Sequence, residues 1–216
     1  GLTVEYRTAT KIATLELGAV TVERSKFGLL LERDGNLDFR DMPEVPVDRM
    51  AFADANFAEY VFSNFDLDGD DELSLDERSA VTSMEFSTNE ITSLEGINYF
   101  TNLEYLICGG TREYNSSTGQ YEIKGQLTSL DLSENIALKY IDCWANQLES
   151  LNVSGLSELY ALYCNYNQIS SLEVSSCTKL QYLDCTYNNL TSIDLYANTA
   201  LVRLFCCLLY TSPSPL

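Results

Sequence analysis

Residues 138–148 read Leu-Lys-Tyr-Ile-Asp-Cys-Trp-Ala-Asn-Gln-Leu, and the same frame returns at 159–169 and 180–190. Leu138, Leu159, Leu180 and Leu201 are 21 residues apart, and so are Ile141, Leu162, Leu183 and Leu204. Cys143, Cys164, Cys185 and Cys206 keep that step, as do Asn146, Asn167 and Asn188, and Leu151, Leu172 and Ile193. A fixed period of this length describes a solenoid, in which each coil buries its apolar side only by stacking on the next.

Working outward, the array begins at Val81, where Met84, Phe86, Asn89, Ile91 and Leu94 already spell the repeat, and continues to Cys206. The second coil opens with Leu103, Leu106 and Cys108. It is then interrupted: Leu103 to Leu138 is 35 residues, one coil plus 14, and the surplus falls within 109–125. Tyr114 to Tyr121 reads as a hairpin there. Residues 207–216 follow no repeat logic. They resemble read-through of a sequencing adapter; the alternative is a genuine tail.

Within each strand, side chains alternate. Leu and Cys therefore point inward and their neighbours outward, onto the concave face. One outward column is Tyr105, Tyr140, Ala161, Tyr182 and Arg203; the next is Ile107, Asp142, Tyr163, Asp184 and Phe205; a third is Gly109, Trp144, Asn165, Thr186 and Cys207. Coils stack at about 4.8 Å, so the columns form one surface. Aromatic side chains with polar tips favour recognition, but they also suit strands for their β propensity. The candidate ligand-binding residues are Tyr105, Tyr140, Asp142, Trp144, Tyr163, Tyr182, Asp184 and Phe205. The repeated asparagines read as structural, their amides serving backbone groups that each turn leaves unpaired.

Residues 66–77 read Asp-Leu-Asp-Gly-Asp-Asp-Glu-Leu-Ser-Leu-Asp-Glu. As a twelve-residue calcium loop, this places Asp66, Asp68 and Asp70 at positions 1, 3 and 5. The Glu72 carbonyl stands at 7, Ser74 at 9 and Glu77 at 12. Calcium takes 6–8 oxygens, and alternate residues of a tight loop supply them. Asp71 departs from the pattern at position 6, where glycine usually permits the turn; aspartate enters left-handed geometry at some cost. The competing reading is an acidic helix-capping run without metal. The preceding segment, 54–65, is an amphipathic helix with Asp54 as N-cap and Phe57, Val61 and Phe65 on one stripe. A second helix spans Leu75 to Ala80. No second loop is visible to pair with the first, so calcium would pin the joint between helix and solenoid.

Residues 1–47 alternate as strands, at Leu2, Val4 and Tyr6, at Leu15 and Leu17, and at Val20 and Val22. Asp34-Gly35 suits a tight hairpin turn between Leu29–Leu31 and Leu37-x-Phe39. This β-rich segment reads either as the end of a larger domain or as a cap, with Pro43 and Pro46 marking a linker. Residues 48–80 then form the helix–loop–helix module and 81–206 the repeats. The chain begins at Gly1 without Met or signal peptide, which reads as a removed leader or a fragment.

The array resembles the leucine-rich repeat family, on L-x-x-L-x-C-x-x-N-x-L at Leu138 to Leu148. With the calcium-type loop, which resembles an EF-hand or dockerin loop, the block from Asp54 onward looks like the internalin-like and BspA-like surface repeat proteins of Bacteroidetes. There a short calcium module leads into "GI-x-x-F-x-N-L-x-x-L-x-C", which stands here from Gly96 to Cys108. The resemblance implies a leucine-rich-repeat solenoid with parallel strands on its concave face. It also implies secretion, often surface anchoring, and binding of proteins or glycans rather than catalysis. The alternative is a structural spacer of a larger surface protein, rigidified by calcium.

Bulk chemistry agrees with a non-catalytic reading. The net charge of −19 repels nucleic acid and disfavours an anionic membrane surface. Histidine is absent, which removes the commonest general base and the usual zinc ligand. No run approaches the length of a membrane-spanning helix. Of the seven cysteines, Cys143, Cys164, Cys185 and Cys206 fall in a repeating inward slot and read as a buried thiol ladder, with some disulfide as the other reading.

Overall fold

The computed structural model describes residues 46–206 and, as backbone, the strands Leu2–Arg7, Ile12–Leu17, Glu32–Arg33 and Asn36–Leu37. The chain divides into two units, Gly1–Glu44 and Val45–Leu216. In the first, Leu2–Arg7 pairs antiparallel with Ile12–Leu17, and Glu32–Arg33 pairs with Asn36–Leu37 around the Asp34-Gly35 turn. The expected strands at Val20–Val22 and Leu29–Leu31, and the tail at 207–216, lie outside the described residues.

The second unit is the solenoid. Its six-stranded parallel sheet takes one strand from each coil: Ser83–Glu85, Tyr105–Ile107, Tyr140–Asp142, Ala161–Tyr163, Tyr182–Asp184 and Arg203–Phe205. Neighbours are in register, with Met84, Leu106, Ile141, Leu162, Leu183 and Leu204 in one row. Register survives the 35-residue spacing, since Leu106 still faces Ile141. The surplus has left as an antiparallel hairpin, Arg112–Asn115 with Gln120–Ile123. A second, two-stranded parallel pair joins Ser129–Asp131 to Ser150–Asn152 behind the main sheet.

The repeated letters make the core. Leu106, Ile141 and Leu162 are fully buried, as are Leu138, Leu159 and Leu180. Cys108, Cys143, Cys164 and Cys185 form a buried column, and among the described residues the cysteines are free thiols. Burial, foremost, pushes the Cys143 and Cys164 thiols well above their ordinary range, so they stay protonated and pack as small apolar groups. Phe86 holds the same slot in the first coil, half-buried against the core.

After each cysteine the chain must turn. Ala145, Tyr166 and Tyr187 take left-handed backbone, with φ of 55°, 55° and 54°, a conformation unfavourable for residues with a Cβ. The following asparagine completes the turn. The Asn167 amide nitrogen donates to the Cys164 carbonyl of its own coil and the Cys143 carbonyl of the preceding one, each at 3.1 Å. Its Oδ1 accepts from the Leu148 N–H at 2.9 Å. Asn188 repeats this set on Cys164, Cys185 and Ile169, and Asn146 on Cys108, Cys143 and Leu127. Each amide thus ties two coils together through otherwise unpaired backbone.

The interrupted coil has no such asparagine. Glycines replace it: a Cβ on Gly110 would lie 2.2 Å from the Ala145 carbonyl oxygen, and one on Gly125 would lie 2.4 Å from Asn146 Oδ1. The base of the hairpin is pinched directly against the next coil. Thr88 of the first coil reaches across it and donates to Asn146 Oδ1 at 2.6 Å.

The helical end caps the first coil. Helix α1, Ala55–Phe65, starts at Asp54, whose Oδ1 accepts from the Asn56 and Phe57 N–H groups. Asp54 Oδ2 accepts from the Thr92 N–H and hydroxyl, both at 2.8 Å, joining the helix to the first coil. Burial alone would raise the Asp54 pKa, but these hydrogen bonds outweigh it and hold the carboxyl below its usual range. Phe57, Ala58, Val61 and Phe62 are buried, a wider stripe than Phe57, Val61 and Phe65. Phe52 packs edge-on against Phe57 and Phe62, and Tyr60 lies against Phe86.

Replacing Asn167 by alanine should lower unfolding free energy by about 3 kcal/mol, because several buried backbone groups lose their partner at about 1–3 kcal/mol each. Urea titration followed by far-UV circular dichroism measures it; a loss below about 1 kcal/mol, the size of one ordinary hydrogen bond, would show that the turn holds without the amide.

Candidate functional site: the outward face of the sheet and the acidic loop

The eight candidate ligand residues lie where strand alternation places them. Tyr105, Tyr140, Asp142, Tyr163, Tyr182, Asp184 and Phe205 flank the inward row, and Trp144 follows one residue after Cys143. Tyr105 and Phe205 are exposed and the others half-exposed. Ala161 departs from the expected outward column, since it is buried at 1% exposure; a methyl group between Tyr140 and Tyr182 in the ladder is too short to reach past them.

The tyrosines touch. Ring centroids are 6.5 Å apart for Tyr105 and Tyr140, 5.6 Å for Tyr140 and Tyr163, and 6.3 Å for Tyr140 and Tyr160. Burial, then the Asp142, Tyr163 and Tyr160 neighbours, push the Tyr140 pKa up to about 12, so its hydroxyl keeps its proton. In the next column the register runs Asp142, Tyr163, Asp184 on consecutive strands. Asp142 accepts from the Trp144 N–H, and Asp184 from the Thr186 N–H and hydroxyl. Burial, then the charge of Asp184, raise the Asp142 pKa.

Four further residues extend this surface. Arg112, on the hairpin, sits between two rings, 4.1 Å from the Tyr121 centroid and 4.5 Å from that of Tyr166. Tyr166 in turn stacks on Tyr187 at 4.2 Å with 11° between planes. Cation–π contacts of this kind anchor the hairpin beside the sheet face. Tyr166 and Tyr187 carry a sequence signal, because they precede successive asparagines of the ladder. Nothing local marks Arg112, whose position depends on the length of the insertion.

The acidic loop brings some of its candidate ligands together. Carboxylate oxygens of Asp66, Asp68 and Asp70 lie within 4.8 Å of one another. Gly69 and Asp71 take left-handed backbone, φ 72° and 63°, so Asp71 adopts the turn expected of glycine at position 6. Its side chain leaves the loop and pairs with Arg49 at 3.0 Å; Arg49 also binds Glu59 and lies over the Phe62 ring. Glu77 closes the loop through hydrogen bonds, Oε1 accepting from the Leu67 N–H and Oε2 from Ser74. Ser74 and Glu77 form a capping box on helix α2, Leu75–Ala80. Glu72 lies in a short strand, Glu72–Leu73, paired antiparallel with Val47–Asp48. Val47–Asp48 belongs to the unit beginning at Val45.

The donor set suits a hard cation: three carboxylates with a fourth at the loop's end, all oxygen. Desolvation, then the neighbouring charges of Asp70, Glu77 and Asp66, raise the Asp68 pKa. Asp66, Asp68 and Asp70 would hold such an ion directly. Ser74 and Glu77 also serve the helix cap, with Glu77 Oε1 accepting from the Leu67 N–H and keeping a second lone pair for an ion.

Residues 161–198 match the family model for leucine-rich repeats, two copies. The array has the fold of a leucine-rich-repeat solenoid. It is similar to the functional domain of InlJ from Listeria monocytogenes, a structure described as including a cysteine ladder, at 34% identity and a TM-score of 0.64. That match covers 75% of this chain and 33% of the InlJ domain, so the chain spans about a third of its length. An internalin, InlF, also from L. monocytogenes, matches at 22% identity and a TM-score of 0.43, covering 73% of this chain and 51% of that one. No curated protein sequence gives a significant match. Among the described residues of this leucine-rich-repeat chain, no helix is long and apolar enough to cross a membrane.

Proposed function

We propose that the solenoid is a non-catalytic recognition module, secreted or held at a cell surface, that binds a protein or glycan on the outward face of its six-stranded sheet. The observation that carries this reading is the contact chain Tyr105–Tyr140–Tyr163, with Trp144 and the carboxylates of Asp142 and Asp184 beside it. None of these side chains is needed to fill the core, which Leu, Ile and Cys already complete. Half-exposed aromatics on a rigid sheet lose little conformational entropy when they bind. Repeat solenoids commonly use such extended faces. Cys143 and Cys164 are buried and stay protonated, and no histidine is present to activate a nucleophile. Secretion rests on the resemblance to surface repeat proteins, including the Gly96-to-Cys108 opening.

Calcium is proposed as a structural ion of the acidic loop, held by Asp66, Asp68 and Asp70 with the Glu72 carbonyl, Ser74 and Glu77 completing the shell. The converging carboxylates support this reading. It also serves the alternative function, a spacer of a larger surface protein stiffened by calcium. The two differ in what mutation of the sheet face does.

Changing Trp144 and Tyr163 together to alanine should abolish capture of a protein or glycan ligand identified by array screening, while the melting temperature stays within a few degrees. Retained capture would reject the sheet face as the site and favour the spacer. For the loop, melting in calcium should lie above melting in chelator, by about 2.7 kcal/mol of stability when calcium is a hundredfold over its dissociation constant. Asp68→Asn with Asp70→Asn should remove that difference. Equal midpoints for the unaltered chain would reject specific calcium binding.

A further inference from the structure

The column Asp142, Tyr163, Asp184 alternates carboxylate, ring and carboxylate on adjacent strands of one parallel ladder. Strands in a sheet lie about 4.8 Å apart, so each aspartate stands one strand to either side of Tyr163. Both carboxylates are half-exposed, and neither forms an ion pair among the described residues. Each uses Oδ1 to accept from the backbone two residues on, which fixes its rotamer and leaves Oδ2 without a protein partner among those residues. Glu85 adds a third carboxylate in the same column, beyond Ile107. Nearby lysines are engaged off this column: Lys139 pairs with Glu104 and Lys179 with Glu158, while Arg203 stands in the neighbouring outward column opposite Tyr182.

This arrangement has a definite complement. A carboxylate pair held in a fixed geometry around an aromatic face suits a cation that can both stack and hydrogen-bond. A guanidinium does so best, because it is planar, stacks on rings and donates to carboxylates on either side. A neutral sugar would stack on Tyr163 but would leave two half-desolvated carboxylates unpaired, which costs free energy. An acidic or phosphorylated partner would be repelled by them and by the net charge of −19. Tyr105 and Tyr140, in contact on the neighbouring column, then receive the apolar stem and the flanking residues of the same segment.

We propose that the partner of the sheet face is a protein whose contacting segment is basic, with an arginine laid on Tyr163 between Asp142 and Asp184. This deepens the recognition reading and rests on it: the site is the same face, and the addition is the chemistry of the occupant.

The test uses the full chain and a nine-residue oligoarginine peptide, read by the fluorescence of Trp144, the single tryptophan, which follows Asp142 in sequence by two residues. Asp142→Asn with Asp184→Asn should weaken the peptide roughly tenfold or more, as loss of close charge pairs does. A charge-matched control, Glu134→Gln with Glu149→Gln, removes two exposed carboxylates that lie off the sheet strands. It should change the affinity less than about twofold, the screened contribution of distant surface charge. Oligolysine of equal length should bind more weakly than oligoarginine. Equal weakening by both double variants would overturn the proposal, since the peptide would then be reading net charge alone. So would a peptide that binds the Asp142→Asn, Asp184→Asn chain as tightly as the unaltered one. Failure of this inference is distinguishable from failure of the recognition reading. A ligand lost with Trp144→Ala and Tyr163→Ala but kept by the two asparagine substitutions leaves the face as a binding site and removes its preference for cations.

Discussion

In a solenoid of short coils, the chain must turn away from each strand after about three residues, at the point where the next coil presses closest. The backbone groups of that turn face the interior, where water cannot serve them, and an unpaired buried amide or carbonyl costs about 1–3 kcal/mol. Asn146, Asn167 and Asn188 answer this with one side chain per coil, donating to two carbonyls and accepting from one N–H of the neighbouring coil. Aspartate could not donate and glutamine would overreach. The left-handed residue before each asparagine is the accompanying cost, borne by alanine or tyrosine rather than glycine.

Because the inward letters and the asparagine settle the coil, the remaining letters are free to vary. That is the physical reason the sheet face carries tyrosine, aspartate and tryptophan without disturbing register. It also explains how the second coil accommodates a hairpin. The strand pairing passes unbroken from Leu106 to Ile141, and the missing asparagine is replaced by glycines that let backbone approach backbone, with Thr88 reaching across to Asn146. At the helical end, Asp54 does for the first coil what the asparagines do for the others: it satisfies Thr92 and the helix start with one carboxylate. The Val47–Asp48 and Glu72–Leu73 pair adds Val47 and Leu73 to the same core.

Much of this was legible in the sequence, for a reason specific to repeats: one local rule, repeated, replaces long-range prediction. The strands, the inward cysteines, helix α1 with its Asp54 cap, and the hairpin within 109–125 follow from period and turn chemistry. What was not legible depended on which coil touches which. Arg112 between Tyr121 and Tyr166 depends on the hairpin folding back over two coils. Val47–Asp48 pairing with Glu72–Leu73 joins segments with no shared pattern. Ala161 was placed outward by alternation, but its short side chain leaves it covered. At the acidic loop, spacing located the carboxylates. It did not show that Ser74 and Glu77 would also serve the helix cap, nor that Asp71 would turn out to Arg49.

The asparagine amides hold each coil to the next, and amide hydrogen exchange resolved by residue reads that directly. The N–H groups of Leu148 and Ile169, which follow the turns and donate only to Asn167 and Asn188 side chains, should be protected as strongly as the strand amides of Ile141 and Leu162. Exchange of these two at the rate of open turn amides, with the strands still protected, would contradict it, and the coils would then be held by apolar packing alone.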